Sequence, residues 1–474
     1  MTGNAHKQAF SGLDVLAGAA PEATHYKSDT MVEGEPSVVI RARDTQDMRA
    51  ALQQCFAQNI PVTFCAAQTS MTGSSVAKEG VLLATEKCAG ILELNRHTVT
   101  CRPGTITADL QRSVAEAGFF FPVSPTSREM SCIGGNVATN ASGEDSYQYG
   151  CMRHHVQSIK VLLADGSEKS FSRSKPCAVP KRKNLAGFEL AGTEEIDSFI
   201  GSEGTLGLIT EVTLNLLPRE PEHFALMVPF ASRKAALACV LRVATTRQPA
   251  ARALELVDRL ALHYLSTHEK APSFSKDTQA LLYIKQEYRD EAEYEKLLSA
   301  WWEVLGEFSS APLLQQTLVA FTPSEQNLFR EWRHHIPSRL NEEARQYWQD
   351  GGGKVGSDWW VPVAELSDLL DFFFTQAREL QLPAMAYAHV GDGHPHTNLI
   401  TKNAEEKKHA QALVLECCRR AVSLGGGVAG EHGIGKLHHS LLAIQHSESD
   451  LAKMHKIKQH FDPKGLLGRG NIFS

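Results

Sequence analysis

The stretch SPTSREMSCIGGNVATNASGEDSYQYG (residues 124–150) decides how the fold of this 474-residue chain is interpreted. It is dense in glycine, alanine, serine, threonine and asparagine. Two shorter stretches share that composition, AAQTSMTGSS (66–75) and GSEGTLG (201–207). Glycine permits left-handed turns, and small side chains let backbone N–H groups approach a pyrophosphate closely. Each stretch alone is equally typical of a structural turn, but the three together and in this order predict loops that bind a flavin.

Short apolar runs alternate with helical patterns around these loops, over residues 30–220. The hairpin HHVQSIKVLLADGSEKSFS (154–172) is expected to turn at Asp165-Gly166. The helix TQDMRAALQQCFAQN (45–59) is expected to be capped by Thr45. Strands are predicted at PSVVIRA (36–42), PVTFCA (61–66) and GTLGLITEVTLNLLP (204–218).

The pattern changes after Pro218 to a strand, a helix, two strands and a helix, the order of a ferredoxin-like α+β sheet. A long helical region (323–350), a strand KVGSDWWVPV (354–363), a helix, a hairpin and a further helix follow, and no internal repeat is evident in the sequence. We therefore divide the chain into an N-terminal segment (1–30), a domain that carries the small-residue loops (31–220), a second domain (221–424) and a C-terminal segment (425–474).

Composition and charge narrow the classes of function. Hydrophobic residues are 42% and charged residues 22%, as in ordinary globular proteins, and the net charge is −6. This charge gives no reason to expect nucleic acid as a partner. No apolar run approaches the roughly 20 residues that span a bilayer, and the N-terminus lacks a secretory signal pattern. The ten cysteines form no C-x-x-C motif, which argues against a thiolate-bound metal cluster and favours reduced thiols in the cytoplasm.

Two glycine patterns imitate nucleotide-binding motifs. Gly425-x-Gly427-x-x-Gly430 follows a helical pattern, whereas a dinucleotide-binding loop follows a strand. The second pattern, Gly430-x-x-x-x-Gly435-Lys436, resembles a phosphate-binding loop but is followed by Leu437. Leucine cannot ligate Mg²⁺ as the serine or threonine of such a loop does. Neither pattern supports a nicotinamide or ATP site.

The stretch AHVGDGHPHTN (388–398) carries three histidines on one turn. The glycines of Gly-Asp-Gly allow a tight reversal, so His389 and His396 can converge and ligate a divalent ion such as Zn²⁺ or Mn²⁺. Glu431 in GEHGIG is our candidate for the third ligand, and two histidines with one carboxylate leave positions open for substrate. We expect His394 to be solvated and Asp392 to bond its own backbone. A polar surface hairpin with satisfied histidines is the alternative.

Taken in order, the segments resemble the vanillyl-alcohol-oxidase-type FAD-binding superfamily over residues 25–474. Within it, they are most similar to the FAD-linked D-2-hydroxyacid dehydrogenases, which include D-lactate dehydrogenase, the glycolate oxidase flavin subunit and D-2-hydroxyglutarate dehydrogenase. The resemblance implies an α+β chain with a two-part FAD-binding domain, a ferredoxin-like α+β cap domain and a C-terminal segment returning to the flavin. The matching motifs are IGGNVATNASG (133–143), YGCMRHHV (149–156), KVLLADG (160–166), GSEGTLGLITEVTLNLLP (201–218), AHVGDGHPHTN (388–398), GEHGIG (430–435) and DPKGLLGRGN (462–471).

The resemblance implies a non-covalent FAD, because no histidine stands in the first loop, where some superfamily members tether the cofactor. Relatives have arginine and glycines where this loop reads Cys65-Ala66-Ala67-Gln68, so Gln68 is expected to add a side-chain contact. His154 stands where relatives often have aspartate. The residues that match FAD contacts are Ala66, Ala67, Gln68, Thr69, Ser70, Gly73, Pro125, Thr126, Ser127, Gly134, Gly135, Asn136, Thr139, Asn140, Gly143, Glu203, Gly204, Thr205, Gly207, Ile209 and Thr210.

The resemblance also implies catalytic roles. The family places its metal on the residues matching His389, His396 and Glu431, and its general base on the residue matching His432. The metal would bind the substrate hydroxyl and lower its pKa, the base would take the proton, and the hydride would pass to flavin N5. Two further residues match substrate-binding positions of the family: Arg333, for the carboxylate, and Asn398. Each has a structural alternative, Arg333 as a helix-surface arginine and Asn398 as a strand-end polar residue.

The substrate implied is a D-2-hydroxy acid. Relatives that act on 2-hydroxyglutarate carry a lysine just before a D-x-x-x-P strand, where this chain has Gly356, with Lys354 displaced by two positions and Trp359 and Trp360 nearby. This favours a monocarboxylate such as D-lactate. Electrons would pass to a cytochrome, a quinone or a partner subunit. Three alternatives stay open: a flavin subunit active only in a glycolate oxidase-type complex, a D-2-hydroxyglutarate dehydrogenase, and a metal-dependent hydrolase. Peripheral association with the inner face of a membrane also stays open, and the sequence makes no prediction of oligomeric state.

Overall fold

The computed structural model describes residues 10–29, 31–192 and 194–473, which form two compact units. Unit 1 holds the chain up to Gly143, then Tyr149–Glu220, and the chain from Ala429 onward. Unit 2 holds Glu144–Gln148 and Pro221–Val428. Five residues of the glycine-rich stretch that opened the sequence analysis therefore belong to the second unit, which the sequence pattern does not indicate.

The described part of unit 1 contains a mixed sheet of order β1-β2-β4-β3, in which β2, β4 and β3 are parallel, an antiparallel sheet of order β5-β6-β10-β8-β9, and the pair β7-β11. The hairpin predicted at Asp165-Gly166 is present, with Gly166 at φ +79°. The strands are β1 Val15–Ala17, β2 Val38–Arg41, β3 Val62–Cys65, β4 Val81–Ala84, β5 Ile91–Leu94, β6 Thr98–Cys101, β7 Phe119–Phe120, β8 Val156–Leu162, β9 Glu168–Ser172, β10 Leu208–Asn215 and β11 Leu217–Pro218.

The first helix of unit 1 is the one predicted after β2, but the predicted cap was wrong. Asp44, and not Thr45, is the N-cap, because its carboxylate accepts hydrogen bonds from the backbone N–H groups of Gln46 and Asp47, both at 2.9 Å. The helices between β2 and the end of β11 are α1 Thr45–Gln58, α2 Thr107–Glu116, α3 Ile133–Ala138, α4 Ser146–Tyr149, which begins in unit 2, and α5 Ile196–Phe199. A 3₁₀ turn precedes β2 at Pro21–Tyr26, and another follows α4 at Met152–His154.

Unit 2 is built on one antiparallel sheet of order β15-β12-β14-β13-β17-β18-β16. Its strands are β12 Glu222–Phe230, β13 Ala253–Asp258, β14 Ala280–Tyr288, β15 Leu318–Ala320, β16 Gly351–Gly356, β17 Ala384–Ala388 and β18 His396–Asn403. Its helices are α6 Arg233–Thr246, α7 Arg259–Ser266, α8 Glu291–Gly306, α9 Ala311–Leu314, α10 Pro323–Arg345, α11 Val363–Glu379 and α12 Ala404–Ser423, with 3₁₀ turns at Trp348–Asp350 and Val390–Asp392.

The sheet of unit 2 repeats one topology twice, although the sequence shows no repeat. Elements β12, α6, β13, β14 and α8 form one strand-helix-strand-strand-helix set, and β16, α11, β17, β18 and α12 form another. In each set the third strand lies between the other two, and the sets join where β13 pairs with β17. The ferredoxin-like order predicted for the first set is therefore present in both, with α7 inserted between β13 and β14 of the first.

Strand β16 was not predicted in its observed position. KVGSDWWVPV was expected to be a strand, but β16 covers Gly351–Gly356, and Trp360 makes only an isolated bridge to Gly427. Glycine-rich segments have low strand propensity, which hides β16 in the sequence. The glycines are needed here because a Cβ on Gly352 would lie 2.3 Å from the carbonyl oxygen of Thr401 on β18.

The core of unit 2 lies between one face of the sheet and helices α7 and α10. Strand residues such as Met227, Tyr283 and Ile400 pack with Trp332 and Ile336 of α10, and all are buried. The same sheet face carries charged residues near one end of the strands, since Glu255 is directly opposite Tyr283 in the ladder. This apolar face with a charged end positions the candidate site.

After unit 2 the chain returns to unit 1. Helices α13 (His439–Gln445) and α14 (Glu448–Phe461) complete that unit, and Leu467 forms a bridge beside Val62 of β3. Leu467 also joins the buried cluster of Ile40, Leu52 and Leu83. The last residues therefore contribute to the core of the first unit, as predicted for a C-terminal segment that returns to the FAD-binding domain.

Candidate active site

The histidine-rich hairpin of unit 2 lies between β17 and β18. A 3₁₀ turn at Val390–Asp392 and a left-handed Gly393 (φ +68°) reverse the chain. A Cβ on Gly393 would lie 1.8 Å from the carbonyl oxygen of Val361, so only glycine fits this position. The reversal brings the imidazole rings of His389 and His396 to a centroid separation of 5.4 Å.

A buried carboxylate stands behind His389. Nδ1 of His389 lies 3.0 Å from Oε1 of Glu255, whose side chain is 1% exposed. A carboxylate on one ring nitrogen fixes the orientation of an imidazole and leaves the other nitrogen for a ligand or a proton. Glu255 was not predicted as a site residue, although a charge inside the apolar strand ALELVD was a signal for it.

Glu255 is one end of a chain of buried charges in unit 2. Arg333 of α10 contacts Glu255 and also donates to Glu144 at 2.5 Å. Lys285 on β14 lies 3.2 Å from Glu144 and 2.9 Å from Asp145. Positive and negative groups thus alternate from Asp145 to His389, and the segment Glu144–Gln148 is anchored by cations of the sheet.

The pKa values of the two acidic residues at this end, Asp145 and Glu144, follow from the charges around them. Burial by itself raises the pKa of Asp145, but the charges of Arg252, at 2.6 Å, and Lys285 outweigh burial and lower that pKa overall. Burial and the nearby Arg333 and Lys285 act on Glu144 in the same opposed way, and its pKa lies well below the ordinary value. Both carboxylates are therefore ionised at neutral pH, and the charge of Arg333, the predicted substrate-binding arginine, is already matched within unit 2.

His394 was predicted to be solvated, and this was wrong. Its side chain is fully buried, and Nε2 lies 3.0 Å from Oδ1 of Asp358. Its neighbour Asp392 accepts a hydrogen bond from Oγ of Ser146 at 2.6 Å, a contact that the expectation of a local turn bond did not include. Asn398, predicted near the substrate, is buried on β18 and donates from Nδ2 to the carbonyl oxygen of His396 at 3.2 Å.

The loop Gly430–Lys436 carries Glu431 and His432 in unit 1. Glu431 accepts a hydrogen bond from Oγ of Ser142 at 2.8 Å and contacts the ammonium group of Lys183, whose side chain is 2% exposed. The carbonyl oxygen of His432 accepts a hydrogen bond from Oγ1 of Thr72 at 3.2 Å. A buried cation and a hydroxyl group thus hold the carboxylate that we predicted as a metal ligand. No local sequence pattern indicates the role of Lys183.

Glu203 fixes the same loop from inside. Its carboxylate accepts hydrogen bonds from the backbone N–H groups of Ile434 at 2.8 Å and Gly435 at 2.7 Å. Burial raises the pKa of Glu203 to about 7. A Cβ on Gly433 would lie 2.6 Å from Oε1 of Glu203, which explains the glycine. The carboxylate of Glu203, a predicted FAD contact, is therefore engaged with the loop of Glu431 and His432.

The three small-residue loops of unit 1 contain the left-handed residues that the sequence suggested. Gln68, Gly73, Asn140, Glu203 and Gly204 have φ values between +47° and +79°. The other predicted FAD contacts lie in these loops or in the elements beside them, with Gly134, Gly135 and Asn136 on α3 and Ile209 and Thr210 on β10. The loops are therefore shaped by backbone conformation more than by large side chains, as a bound pyrophosphate requires.

The glycines of the second loop have two different roles. A Cβ on Gly134 would lie 2.5 Å from Cβ of Pro103, and one on Gly143 would lie 2.2 Å from the carbonyl oxygen of Ser124, so close packing accounts for both. A Cβ on Gly135 would have its nearest neighbour, Ala66 Cβ, 3.9 Å away. Gly135 therefore leaves open space beside the first loop, which suits a cofactor.

A cavity of about 550 Å³ lies in unit 1. It is lined by Ala67 of the first loop, by Gly104, Thr105 and Ile106, and by Cys132 just before α3. Only Ala67 was among the predicted cofactor contacts. The signal for the others was the RPGT turn (102–105), whose Gly104 has no room for a Cβ.

His154 has a structural role. Nδ1 accepts a hydrogen bond from the backbone N–H of Cys151 at 3.1 Å, and Nε2 lies 3.2 Å from the carbonyl oxygen of Val179. The adjacent Arg153 is buried and pairs with Asp197 at 2.9 Å. This arrangement stabilises the turn after the second loop, next to its FAD-contact candidates.

Comparisons with known proteins find two family models that match the chain. The family model described as FAD linked oxidases, C-terminal domain, matches residues 220–472, and the model described as FAD binding domain matches residues 36–172. No helix in the described ranges is long and apolar enough to cross a membrane.

Several curated proteins are similar over most of their length. Glycolate oxidase subunit GlcD of Bacillus subtilis is 25% identical, with 95% of this chain and 91% of that protein covered. A D-lactate dehydrogenase of Archaeoglobus fulgidus is 29% identical, with 92% and 91% covered. A D-lactate dehydrogenase of Anaerostipes hadrus is 26% identical, with 95% and 92% covered.

Solved structures show the same fold at low identity. p-Cresol methylhydroxylase with bound substrate gives a TM-score of 0.73 at 15% identity, covering 99% of this chain and 96% of that chain. 4-Ethylphenol oxidase from Gulosibacter chungangensis gives 0.72 at 14% identity, covering 99% and 97%. The predicted FAD-binding fold of the vanillyl-alcohol-oxidase type is thereby confirmed. Because the model of the C-terminal domain alone spans more than half of the residues, the chain belongs to the FAD-linked oxidases and is an FAD-dependent oxidoreductase.

Proposed function

We propose that this flavoprotein oxidises the CH–OH group of a D-2-hydroxy monocarboxylic acid, with D-lactate as the first candidate, to the 2-oxo acid. The observation that carries the proposal is the hairpin of unit 2, in which two imidazoles converge and one of them is oriented by a buried carboxylate. The names of the similar proteins, D-lactate dehydrogenase and glycolate oxidase subunit, support the same substrate class. When bound, FAD supplies the acceptor for the two electrons of the oxidation.

The proposed metal ligands are His389 and His396 of unit 2 and Glu431 of unit 1. The donor set fits Zn²⁺ or Mn²⁺, since both accept imidazole and carboxylate ligands. His389 fits the role further because the buried carboxylate of Glu255, 3.0 Å from Nδ1, orients its imidazole. When bound, the metal supplies a Lewis acid that lowers the pKa of the substrate hydroxyl group.

His432 is the proposed general base. It follows Glu431 directly, on a loop whose backbone is fixed by Glu203 and Thr72. Imidazole has an ordinary pKa near 6.5, so a neutral His432 can accept the hydroxyl proton at physiological pH. The fixed backbone limits the positions that this imidazole reaches.

Arg333 and Asn398 are the proposed substrate-binding residues. The planar guanidinium of Arg333 suits a carboxylate, but Glu144 and Glu255 already contact it. Substrate binding through Arg333 therefore competes with these two carboxylates for the guanidinium group. Asn398, with Nδ2 near the carbonyl oxygen of His396, is the neutral polar group of this pair.

The preference for a monocarboxylate rests on the side chains around β16. A Cβ on Gly356 would lie 3.1 Å from Oδ1 of Asn398, so this position places no cation beside Asn398. Lys354 donates instead to Oδ1 of Asn341 on α10 at 2.7 Å. Trp359 and Trp360 are both buried and belong to the packing of unit 2. These positions favour a substrate without a second carboxylate.

The proposed electron acceptor is external: a cytochrome, a quinone or a partner protein. The cysteines form no cluster-binding motif, and all ten lie in the described part of the chain as free thiols. Nine of them are buried, which suits a reducing compartment such as the cytoplasm. Assembly with partner subunits is a second candidate, because glycolate oxidase GlcD of Bacillus subtilis is itself named a subunit.

A dye-linked activity screen tests this proposal. The purified, FAD-loaded chain is assayed with D-lactate, L-lactate, glycolate and D-2-hydroxyglutarate, before and after treatment with a chelator. We expect D-lactate to be oxidised fastest and chelation to abolish the activity, which added Zn²⁺ or Mn²⁺ restores. Full activity after verified metal removal would contradict the metal ligands, and a preference for D-2-hydroxyglutarate would contradict the substrate assignment.

A further inference from the structure

The inference starts from the buried imidazole of His394. Its side chain is 0% exposed, and Nε2 lies 3.0 Å from Oδ1 of Asp358. Within the described residues, Nδ1 has no hydrogen-bond partner. The ring nitrogen that faces Asp358 is therefore Nε2, and an ion shared by these two side chains would be bound by Nε2 and Oδ1.

His396 provides a second imidazole beside the first. The ring centroids of His394 and His396 are 4.8 Å apart, and the rings are nearly perpendicular. One potential ligand atom of each of Asp358, His394 and His396 lies within 4.8 Å of the others. The three residues all belong to unit 2, so the cluster is complete within one compact part of the chain.

The backbone around this cluster is fixed on both sides. Ser357 donates its N–H to the carbonyl oxygen of Thr397 at 3.0 Å, and the two hydroxyl groups of these residues are in contact. Val361 donates its N–H to the carbonyl oxygen of Gly393 at 2.9 Å. Asp358 is thus held against β18 and His394 against the segment after β16, so the ligand atoms are positioned before any ion binds.

We propose that Asp358, His394 and His396 form a divalent-cation site that needs no residue of unit 1. Two imidazoles and one carboxylate suit Zn²⁺ and Mn²⁺, and a partly buried site of three protein ligands leaves further positions for water. The proposal rests on the same hairpin as the proposed function, because His396 is shared. Asp358 and His394 take no part in the proposed catalytic ligand set, so the two sets are separable by mutation.

Zinc titration of the full-length, FAD-loaded and chelator-treated chain tests the site. The starting variant is His389→Asn/Glu431→Gln, which removes both catalytic ligands that the new site does not use. We expect this variant to bind one equivalent of Zn²⁺ by isothermal titration calorimetry. Adding His394→Asn or Asp358→Asn is expected to weaken that binding at least tenfold, within the 10–100-fold range typical of lost metal-site interactions.

The matched control adds His409→Asn instead, which replaces an exposed histidine of α12 and is expected to leave Zn²⁺ binding unchanged. Retained flavin absorbance and circular dichroism establish that each variant is folded, and Asp358→Asn decides the matter if His394→Asn is unfolded. The site is refuted if the starting variant binds no Zn²⁺, or if neither addition weakens binding.

The two proposals fail in different ways. Oxidation of D-lactate by the wild-type chain together with no Zn²⁺ binding by the starting variant would refute only the new site. Zn²⁺ binding by the starting variant together with a wild-type chain inactive on every 2-hydroxy acid would refute only the proposed function.

Discussion

The hairpin of unit 2 and the loop Gly430–Lys436 of unit 1 hold their functional side chains by opposite means. In the hairpin, imidazoles are backed by carboxylates, the buried Glu255 behind His389 and the partly buried Asp358 beside His394, each at 3.0 Å. In the loop, the carboxylate of Glu431 is backed by the buried cation of Lys183. In both regions, the functional group is oriented by a partner of complementary charge that lies far away in the sequence.

The two regions also differ in how the backbone is fixed. The hairpin extends a ladder between β17 and β18. The loop has no strand partner and depends on two hydrogen bonds to the carboxylate of Glu203 and on contacts with Thr72. The hairpin should therefore respond to changes in buried charge, whereas the loop should respond to the protonation of Glu203.

The largest effect is expected from the loop. His432→Asn should lower kcat by about 10²–10⁴-fold, the usual contribution of a general base, because asparagine cannot accept the substrate proton. Since the hairpin supplies two of the proposed ligands, affinity for Zn²⁺ should be unchanged. Steady-state kinetics and zinc titration measure the two quantities, with His409→Asn as the control. An unaltered kcat would remove His432 from the mechanism.

The next effect concerns the buried charges that lead to the hairpin. Asp145→Asn should destabilise unit 2 by about 3–5 kcal/mol, because Arg252 and Lys285 lose the carboxylate that both contact. Asp450→Asn, which removes a half-exposed carboxylate beside Lys453, should have little effect. Denaturant unfolding followed by tryptophan fluorescence compares them, and equal midpoints for the two variants would contradict the buried network.

The stability of the loop should depend on pH through one buried carboxylate, that of Glu203. The pKa of Glu203 is raised to about 7 by burial, against an ordinary value near 4.5. Because the folded-state pKa is the higher one, the stabilisation is complete below about pH 4.5 and is lost as pH rises through 7. The difference corresponds to roughly 3 kcal/mol.

Glu203→Gln should flatten the pH dependence of stability between pH 5 and 8, since glutamine does not titrate. Lys436, whose own pKa burial lowers to about 8, is the nearby cation in this range and is left in place. Thermal unfolding at several pH values measures the slope. A slope as steep as that of the wild-type chain would assign the titration to another group.

The smallest effect is expected from the carboxylate behind the hairpin. Glu255→Gln should weaken Zn²⁺ affinity 10–100-fold, because a neutral amide orients His389 less firmly than a carboxylate does. Glu293→Gln, which changes a half-exposed carboxylate paired with the exposed Arg289, is the control. Zinc titration checks both, and an affinity equal to that of the control would show that Glu255 does not support the site.

Features set by local sequence were predictable. The left-handed Gly73 and Gly204 follow from the glycines of the small-residue loops, and the reversal that joins His389 and His396 follows from Gly-Asp-Gly. The first half of the unit 2 sheet was recognisable because its strands and helices have regular apolar patterns.

Features set by distant contacts were not predictable. His394 was expected in solvent, but Asp358 and the segment of Val361 bury it. Glu255 and Lys183 lie more than a hundred residues from the groups they orient, and no local pattern links them. Strand β16 was not recognised because glycine has a low strand propensity. Its glycine at position 352 is needed because a Cβ there would collide with the backbone of β18.

The central claim, that this flavoprotein oxidises a 2-hydroxy acid, is tested most directly by anaerobic reduction of its own flavin. The FAD-loaded chain is mixed with D-lactate without any added acceptor, and the visible flavin absorbance is followed. We predict bleaching by D-lactate, much slower bleaching by L-lactate, and an oxidised flavin in His432→Asn. A wild-type flavin that stays oxidised with D-lactate, glycolate and D-2-hydroxyglutarate alike would contradict the claim.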